Sequence, residues 1–343
     1  MPELILVTGA SGFLGSHILV QLLENGYSVR ALLRGPKVAE LRDRYASYGD
    51  RFEAVEISDI ATDNFSDALK GVDAIIHSGT PVPNTTFTEA QLNNTIDGVL
   101  NVVKQAEKAG IKRVVVTSSI STVVHPTTRF TDQDWLPTTR EAAMNGSPMS
   151  RYSAAKTLAE RELWAFADAH PDLDITALNP PFFYGPFVEG FNLPRPNYAL
   201  STNMFLYSLL SPSGQYPPSP GHIDVRDAAK AHVLALSSPP TATVGRKRII
   251  IASPREFGFK ATVDLIAEKR PELKERLIKA PAPAQPFKRV PVNFGRVEEV
   301  LGFRQDEFRT IEETILGTID SLLSFEKEWV KQGLEVSVPV FSG

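Results

Sequence analysis

The sequence predicts an α/β fold: a doubly wound parallel sheet with helices on both faces, followed by a smaller C-terminal lobe. Two observations indicate this fold. Short apolar runs alternate with longer stretches of helical spacing along the first half of the chain. The first run, Leu4–Val7, is followed at once by glycines at positions 9, 12 and 15 and then by a helical pattern. A strand, a glycine turn and a helix in this order are typical of dinucleotide binding.

Each of the three glycines has a use in such a turn. Gly9 allows the tight turn, Gly12 lets the backbone approach a pyrophosphate, and Gly15 lets the helix pack close to the strand. Amides at the helix N-terminus then face the phosphates. The motif alone leaves open a glycine-rich loop without a ligand, so the prediction depends on the segments that follow.

The end of the second strand indicates which dinucleotide is bound. This strand is predicted over 27–34 and ends in Arg34, with Lys37 close behind. A site for NAD usually has an Asp or Glu about 20 residues beyond the glycines, which accepts hydrogen bonds from the ribose. Here a guanidinium takes that place and suits a 2′-phosphate, so we predict NADP. The alternative is a solvated basic strand end.

Two more strands continue the predicted sheet. A charged helix is expected over 37–49, and strands are expected over Phe52–Ile57 and Val72–His77. Asp59 follows the third strand at the carboxyl edge, where ligands collect in open parallel sheets. Its carboxylate suits either the adenine amino group or a cap on the segment near Asp63, and both interpretations remain open.

A tyrosine and a lysine add possible chemistry. A long helix is predicted over 89–109 and a fifth strand over Arg113–Ser119. Tyr152 and Lys156 lie four residues apart in a further helix and therefore share one face. An ammonium beside a phenol lowers the pKa of the tyrosine, which suits a general acid that protonates a carbonyl oxygen. The Ser119 hydroxyl, at the end of a parallel strand, can reach the same oxygen.

Together these segments resemble a known family. The run Thr8–Gly15, the serines of Thr117–Ser119 and the Tyr152–Lys156 spacing occur in the order typical of the extended short-chain dehydrogenases/reductases. Two later segments, 178–186 and 222–232, are similar to the dihydroflavonol reductase branch. The similarity is greatest to its fungal NADPH-dependent members, which reduce methylglyoxal, isovaleraldehyde and other ketones or aldehydes. The resemblance covers nearly the whole chain.

The resemblance implies a Rossmann-type domain, NADP(H) as the cofactor and a catalytic triad. Tyr152 would be the proton donor, Lys156 would lower its pKa and bind the nicotinamide ribose, and Ser119 would orient and polarise the carbonyl. Ser118 competes for the serine role, and we prefer Ser119 as the last serine of the run. Many relatives have an Asn before the glycine of the fourth helix as part of a proton relay. This chain has Asp97 there, so we assign no relay.

The same resemblance implies a set of residues that line the cofactor. Tyr152 and Lys156 belong to it, with two further residues, Thr80 and Pro180, near the nicotinamide half. The others are Gly9, Ser11, Gly12, Phe13, Leu14, Arg34, Lys37, Asp59 and Ile60.

A second lobe is expected to bind the substrate. We predict a dinucleotide domain over 1–180, with a returning segment at about 221–252, and a substrate lobe over 181–220 and 253–343. The lobe is rich in proline, asparagine and aromatic residues, which suits a pocket wall built on loops. For any single residue the alternative is an ordinary small core. As a group, the aromatic residues indicate an apolar or aromatic substrate: Phe87, Phe182, Tyr184, Phe205 and Tyr207.

Two other functions remain open on this scaffold. One is a sugar-nucleotide epimerase or dehydratase, although dehydratases of this family would have Thr-Asp-Glu where this chain has Ser119–Ser121. The other is a non-catalytic regulator that senses NADP, although such relatives usually lose the tyrosine or the lysine. The complete set of serine, tyrosine and lysine favours the reductase.

Composition narrows the expected partners. A net charge of only −4 gives no indication of binding to nucleic acid or to an acidic membrane surface. The absence of cysteine excludes disulfides and thiolate metal sites, and we expect no metal. No apolar run has the length of a membrane span, and residue 4 already lies in the first strand, so we expect a cytosolic protein. The expected partner is a small carbonyl compound, and the chain is expected to be a monomer or a homodimer.

Overall fold

Short parallel strands form the centre of the fold. The computed structural model describes residues 2–79, 88–123, 130–196, 200–217, 221–283, 290–336 and 338. The strands are β1 (Leu4–Thr8), β2 (Ser28–Leu33), β3 (Phe52–Glu56), β4 (Ala74–His77), β5 (Arg113–Thr117), β6 (Asp174–Asn179), β7 (Phe182–Tyr184), β8 (His222–Asp224) and β9 (Lys247–Ile250). Seven of them form one parallel sheet in the order β3-β2-β1-β4-β5-β6-β9, and β7 pairs with β8.

The helix that carries Tyr152 begins at a side-chain cap. Ser147 accepts a hydrogen bond from the Ser150 amide, and Pro148 takes the first position of a helix that starts one turn before Tyr152. Within the described residues, no helix has both the length and the apolar character needed to cross a bilayer. The helices are α1 (Phe13–Glu24), α2 (Lys37–Arg44), α3 (Glu89–Lys108), α4 (Arg140–Asn145), α5 (Pro148–Ala169), α6 (Asn203–Tyr207), α7 (Val225–Ala235), α8 (Thr241–Val244), α9 (Phe259–Lys269), α10 (Phe294–Leu301) and α11 (Ile311–Lys331).

The strand order confirms the doubly wound sheet. The chain runs outward from β1 to β3, returns to the other side of β1 at β4 and continues outward to β9. In register, Thr8 lies opposite Leu32 on one side and opposite His77 on the other. Ligands of open parallel sheets bind at the carboxyl ends of the strands where the winding reverses. The residues that follow β1 and β4 therefore lie at the position expected for a ligand.

Apolar residues cover both faces of this sheet. Leu6, Ile75 and Val114 belong to one buried cluster with residues of α3 and α5. Successive side chains of a strand point to opposite faces, so Ile5 and Val7 face the other side, where they are also fully buried. Burial on both faces is why these strands contain almost only apolar residues.

Two predicted segments differ from the structure. The helix expected over 37–49 ends at Arg44, because Tyr45, with φ −102° and ψ 16°, leaves the α-helical conformation; a 3₁₀ segment, Ala46–Arg51, follows. The strand Asp174–Asn179 was not predicted, although its residues pair with β5 along their whole length. Its sequence, Asp-Ile-Thr-Ala-Leu-Asn, alternates polar and apolar residues only weakly, so periodicity gives little signal.

The chain divides into two compact units. The first contains 1–180, 229–251 and 291–304, and the second contains 181–228, 252–290 and 305–343. In the first unit α10 packs on β9, and the ammonium of Lys230 lies 4.6 Å from the centre of the Phe303 ring. The segment 291–304 therefore packs with the large sheet, whereas the sequence analysis places it in the lobe.

The second unit has a core of aromatic and paired polar residues. The indole of Trp329 is fully buried and donates a hydrogen bond to the Pro194 carbonyl at 2.6 Å. Asp224 accepts hydrogen bonds from the backbone amide and the guanidinium of Arg226 at the start of α7, as well as one from the Thr314 hydroxyl.

Candidate active site

The glycine turn after β1 is packed too closely for any side chain. A Cβ on Gly9 would lie 2.6 Å from the Gly79 amide nitrogen, and a Cβ on Gly15 would lie 2.0 Å from the Gly9 carbonyl oxygen. Gly9 also has a φ of 73°, which a side chain rarely allows. The turn thus brings the backbone after β1 against the backbone after β4, with no side chain between them.

The first turn of α1 lies beside these glycines and has no side-chain cap. Gly12 occupies the N-cap, and the N-terminus of a helix is where backbone amides can bind an anion. Phe13 and Leu14 are buried, so only their backbone faces this position, whereas Ser11 is partly exposed. A cradle of glycine backbone and uncapped helix amides fits a dinucleotide pyrophosphate.

A histidine supports the turn from β4. His77 is 1% exposed, and its Nδ1 lies 2.7 Å from the Thr8 hydroxyl. Burial and the charge of Lys156 lower the pKa of His77 to about 3, so the ring is neutral. The Ser78 hydroxyl donates to the Thr8 carbonyl at 2.8 Å, which holds the two strand ends together.

The basic residues predicted to select NADP are available for binding. Arg34 directly follows β2, Lys37 begins α2, and both side chains are exposed. Within the described part of the chain, no hydrogen bond or ion pair occupies the Arg34 guanidinium. A free guanidinium at this strand end is what binding of a 2′-phosphate requires.

The loop after β3 carries two of the predicted cofactor residues, Asp59 and Ile60. The Asp59 side chain accepts a hydrogen bond from the Ala61 amide at 2.9 Å, so it caps a turn; the adenine contact stays a prediction. Asn101 on α3, which the sequence analysis missed, donates to the Ile60 carbonyl at 2.8 Å and to the Asp63 carbonyl at 3.0 Å. α3 thereby fixes the loop that carries Asp59 and Ile60.

Two predicted residues, Thr80 and Phe87, lie outside the described residues. Pro180, which follows β6, is buried, and its carbonyl accepts a hydrogen bond from the Ile120 amide at 2.9 Å. This bond ties the end of β6 to the residue after Ser119. Pro180 is therefore close in the fold to the predicted catalytic serine.

The structure brings Ser119 and Tyr152 together. The Ser119 side chain lies near enough to Tyr152 to lower the pKa of its phenol, and it accepts hydrogen bonds from the amide and hydroxyl of Ser121, at 3.2 and 2.9 Å. Ser118 instead donates to the Glu160 carboxylate at 2.7 Å and is engaged away from the tyrosine. The contacts favour Ser119 over Ser118 as the serine that meets a substrate.

Lys156 is buried below the same edge of the sheet. Its ammonium donates to the Thr117 carbonyl at 2.9 Å, and burial lowers its pKa to about 8, although the charge of Glu160 opposes this. The expected lowering of the Tyr152 pKa is not found. Burial raises the pKa of Tyr152, and the hydrogen bond with Ser119 only partly offsets it. Desolvation of the phenolate is the larger effect because the ring is packed within the protein.

A buried polar network beneath the triad was missed by the sequence analysis. Its centre is Glu160, which forms an ion pair with Arg248 at 2.7 Å, with side chains 2% and 3% exposed. The Asn179 amide donates to Glu160 at 2.9 Å and to the Ser119 carbonyl at 3.2 Å. Two sequence signals were available. Glu160 lies four residues after Lys156 on the same helical face, and Arg248 is a charged residue in an apolar strand.

Two of the predicted substrate residues are core residues instead. Tyr184 and Tyr207 are both 0% exposed, so neither can line an open pocket. The Tyr184 ring stacks on Phe257, and the Tyr207 hydroxyl donates to Glu326 at 2.7 Å. The sequence alone does not distinguish an aromatic residue of the core from one that lines a pocket.

The other two aromatic residues retain open surface. Phe182 and Phe205 are partly exposed, and their rings stack with centroids 5.0 Å apart. They form an apolar patch within the second unit. In the described part of the chain, no group of three or more His, Asp or Glu side chains is placed to hold a metal ion.

Comparison with known proteins identifies the family. The model of the NAD dependent epimerase/dehydratase family matches residues 5–251. The chain belongs to this family. It is 30% identical over 311 residues to the ketoreductase adrE of Penicillium roqueforti, across 87% of this chain and 89% of that protein. It is 28% identical to the NADPH-dependent methylglyoxal reductase of Saccharomyces cerevisiae, across 94% of this chain and 98% of that protein.

Solved structures of the family have the same fold. The crystal structure of the yeast methylglyoxal/isovaleraldehyde reductase complexed with NADPH superposes with a TM-score of 0.80 at 26% identity, covering 95% of this chain and 99% of that one. Vestitone reductase from alfalfa superposes with a TM-score of 0.72, also at 26% identity, and covers 95% and 99%. The predicted membership in the extended short-chain dehydrogenases/reductases and the predicted fold are confirmed.

Proposed function

We propose that this protein reduces a ketone or an aldehyde to the alcohol with NADPH, and that Ser119, Tyr152 and Lys156 carry the reaction. One observation supports the assignment most directly: the Ser119 hydroxyl lies near enough to Tyr152 to act on the pKa of its phenol, at the sheet edge where Lys156 is buried. Relatives that span nearly the whole chain are named ketoreductase and NADPH-dependent methylglyoxal reductase. The same edge holds the glycine turn.

Each member of the triad has a role that its surroundings support. The raised pKa of Tyr152 keeps its hydroxyl protonated at neutral pH, so the residue can donate a proton to a carbonyl oxygen. The Ser119 hydroxyl donates a second hydrogen bond to that oxygen and orients it. The Lys156 ammonium stabilises the negative charge left on Tyr152. NADPH, when bound, supplies the hydride.

The residues that hold the cofactor follow from the cradle. Glycine backbone and the first amides of α1 bind the pyrophosphate, and Arg34 with Lys37 binds the 2′-phosphate. Asp59 and Ile60 flank the adenine, and Pro180 and Thr80 border the nicotinamide. These assignments combine the family resemblance with the exposed position of the Arg34 side chain.

The proposed substrate is apolar or aromatic. Phe182 and Phe205 offer a stacked apolar surface of the kind that receives an alkyl or aryl group. Phe87 is part of the same prediction. A monomer or homodimer and a cytosolic location remain predictions from the sequence.

The test is consumption of NADPH and of NADH with methylglyoxal, isovaleraldehyde, an aryl ketone, a β-keto ester and a dihydroflavonol. We expect turnover with NADPH and at least one bulky carbonyl compound. An Arg34→Ala variant should raise the KM for NADPH about tenfold while leaving that for NADH unchanged, because only the phosphate contact is lost. Tight NADPH binding without turnover on any compound would contradict the proposal.

A further inference from the structure

The buried carboxylate of Glu160 has more partners than an ion pair requires. Its Oε2 accepts hydrogen bonds from the hydroxyls of Ser118 and Thr122, at 2.7 and 2.6 Å, and from the Asn179 amide at 2.9 Å. Its Oε1 accepts from Arg248 at 2.7 Å and from the Trp164 indole at 3.3 Å. The Glu160 carboxylate therefore connects α5, which carries it, to β9 and to the turn after β5.

These contacts hold the residues that precede and follow Ser119 in the sequence. Ser118 precedes it and Thr122 ends the 3₁₀ turn that follows it, and both are bound to the same carboxylate oxygen. Asn179 adds a hydrogen bond to the Ser119 carbonyl itself. The backbone of Ser119 is thus held by groups bound to Glu160, while its side chain stays directed to Tyr152.

Arg248 anchors the other end of the pair. Its guanidinium donates to the carbonyls of Asp132 and Asp134, at 2.7 and 2.6 Å, and lies 3.7 Å from the centre of the Trp135 ring. Despite its burial, Glu160 has a lowered pKa because Arg248 and the donated hydrogen bonds favour the charged form. A fixed negative charge is therefore held one helical turn from Lys156.

The negative charge of Glu160 acts on Lys156, which other groups also surround. Tyr152 and Glu160 lie one turn to either side of Lys156 on α5, the Thr117 carbonyl at the end of β5 accepts a hydrogen bond from its ammonium, and the buried neutral ring of His77 lies nearby at the end of β4. The charge of Glu160 acts on Lys156 and raises its pKa. Its charge opposes the desolvation that favours a neutral lysine.

We propose that Glu160, paired with Arg248, is a positioning residue for the reduction: it holds Ser119 in reach of Tyr152 through Ser118 and Thr122, and its charge keeps Lys156 cationic. This inference rests on the proposed catalytic triad and deepens it. Glu160 does not touch the substrate, so its loss weakens the reaction and does not abolish it.

The chain offers a matched control at the opposite edge of the sheet. Lys247 and Asp174 form an ion pair at 2.8 Å, with Lys247 1% exposed, at the amino ends of β9 and β6. Asp174 also accepts hydrogen bonds from Thr241, and the bond from the Thr241 hydroxyl is 2.7 Å long. Asp174→Asn thus makes the same acid-to-amide change in an ion pair that also includes a basic residue of β9, at the edge away from the proposed triad.

The experiment compares steady-state kinetics of Glu160→Gln and Asp174→Asn over a range of pH. For Glu160→Gln we expect kcat to fall about ten- to a hundredfold, with the KM for NADPH within about twofold of wild type. Because wild-type Lys156 has a pKa of about 8, activity should decline as pH rises through that value. In Glu160→Gln this decline should move to lower pH.

Asp174→Asn should lower Tm but leave kcat and the pH profile unchanged. A folded Glu160→Gln with wild-type kcat and an unmoved alkaline decline would overturn the proposal. So would Asp174→Asn if it lost kcat to the same degree. A loss of kcat with an unmoved decline would overturn the electrostatic part and support the role in holding Ser119.

Milder variants cover the case in which Glu160→Gln fails to fold. Ser118→Ala and Thr122→Val each remove one contact to Glu160 and keep the ion pair, and each should lower kcat about threefold or more. Wild-type kcat in both would refute the holding of Ser119. Tyr152→Phe distinguishes failure of the proposed triad from failure of this inference. If Tyr152→Phe stays active, the triad itself is wrong. If Tyr152→Phe is inactive but Glu160→Gln behaves like wild type, only the inference about Glu160 is refuted.

Discussion

Tyrosines with a raised pKa occur in both units of this protein, but their surroundings differ. In the first unit Tyr152 is partly exposed, and the Ser119 hydroxyl lies near it at the carboxyl edge of the sheet. In the second unit Tyr184 and Tyr207 are 0% exposed among aromatic rings. Burial raises the pKa of all three phenols. A raised pKa alone therefore does not distinguish the tyrosine that we propose as catalytic; the neighbouring Ser119 hydroxyl and the exposed surface of Tyr152 do.

The largest expected effect tests this difference directly. Tyr152→Phe should lower kcat about a thousandfold, because the proposed proton donor is removed while the ring still packs. Tyr184→Phe removes a buried hydroxyl that has no hydrogen-bond partner among the described residues, so turnover should be unchanged and Tm equal or higher. Initial rates with NADPH and thermal unfolding of both variants provide the measurement. Loss of turnover in Tyr184→Phe would return that residue to the substrate site.

A second comparison concerns glycines of the two units. Gly15→Ala would bring a Cβ to 2.0 Å from the Gly9 carbonyl, so the turn must open and NADPH should bind at least about tenfold more weakly. Gly258→Ala, in the second unit, would place its Cβ 3.5 Å from the Ala261 Cβ, an ordinary contact. Titration calorimetry should give wild-type NADPH affinity for Gly258→Ala. Equal affinities in both variants would show that the turn does not hold the cofactor.

The smallest effect is expected at the apolar patch of the second unit. Phe205→Ala removes the ring stacked on Phe182 and should raise the KM for a bulky ketone about tenfold, with that for methylglyoxal nearly unchanged. Phe187, whose ring packs against Phe325 in the same unit, offers a control at a buried position: Phe187→Leu should alter Tm rather than substrate preference. A uniform change of KM for both substrates in Phe205→Ala would argue against a patch that contacts large groups.

Much of the first unit could be predicted from the sequence because its signals are local. Apolar runs in the sequence predict parallel strands that are buried on both faces. Gly9 and Gly15 indicate a turn that has no room for a Cβ. Tyr152 and Lys156 share a face because their spacing matches the helical period. These features depend on neighbours in the chain, so the order of residues reveals them.

Other features were decided only by the tertiary structure. Arg248 meets Glu160 across 88 positions of sequence, and nothing near either residue indicates the other. Whether an aromatic residue such as Tyr207 fills a core or a pocket depends on what packs over it, as Glu326 and Trp329 do. The direction of the Tyr152 pKa shift likewise depends on desolvation by the whole surrounding protein, which outweighs the lowering by the Ser119 hydroxyl. Local periodicity determines elements and turns, whereas burial and charge pairing arise between segments distant in sequence.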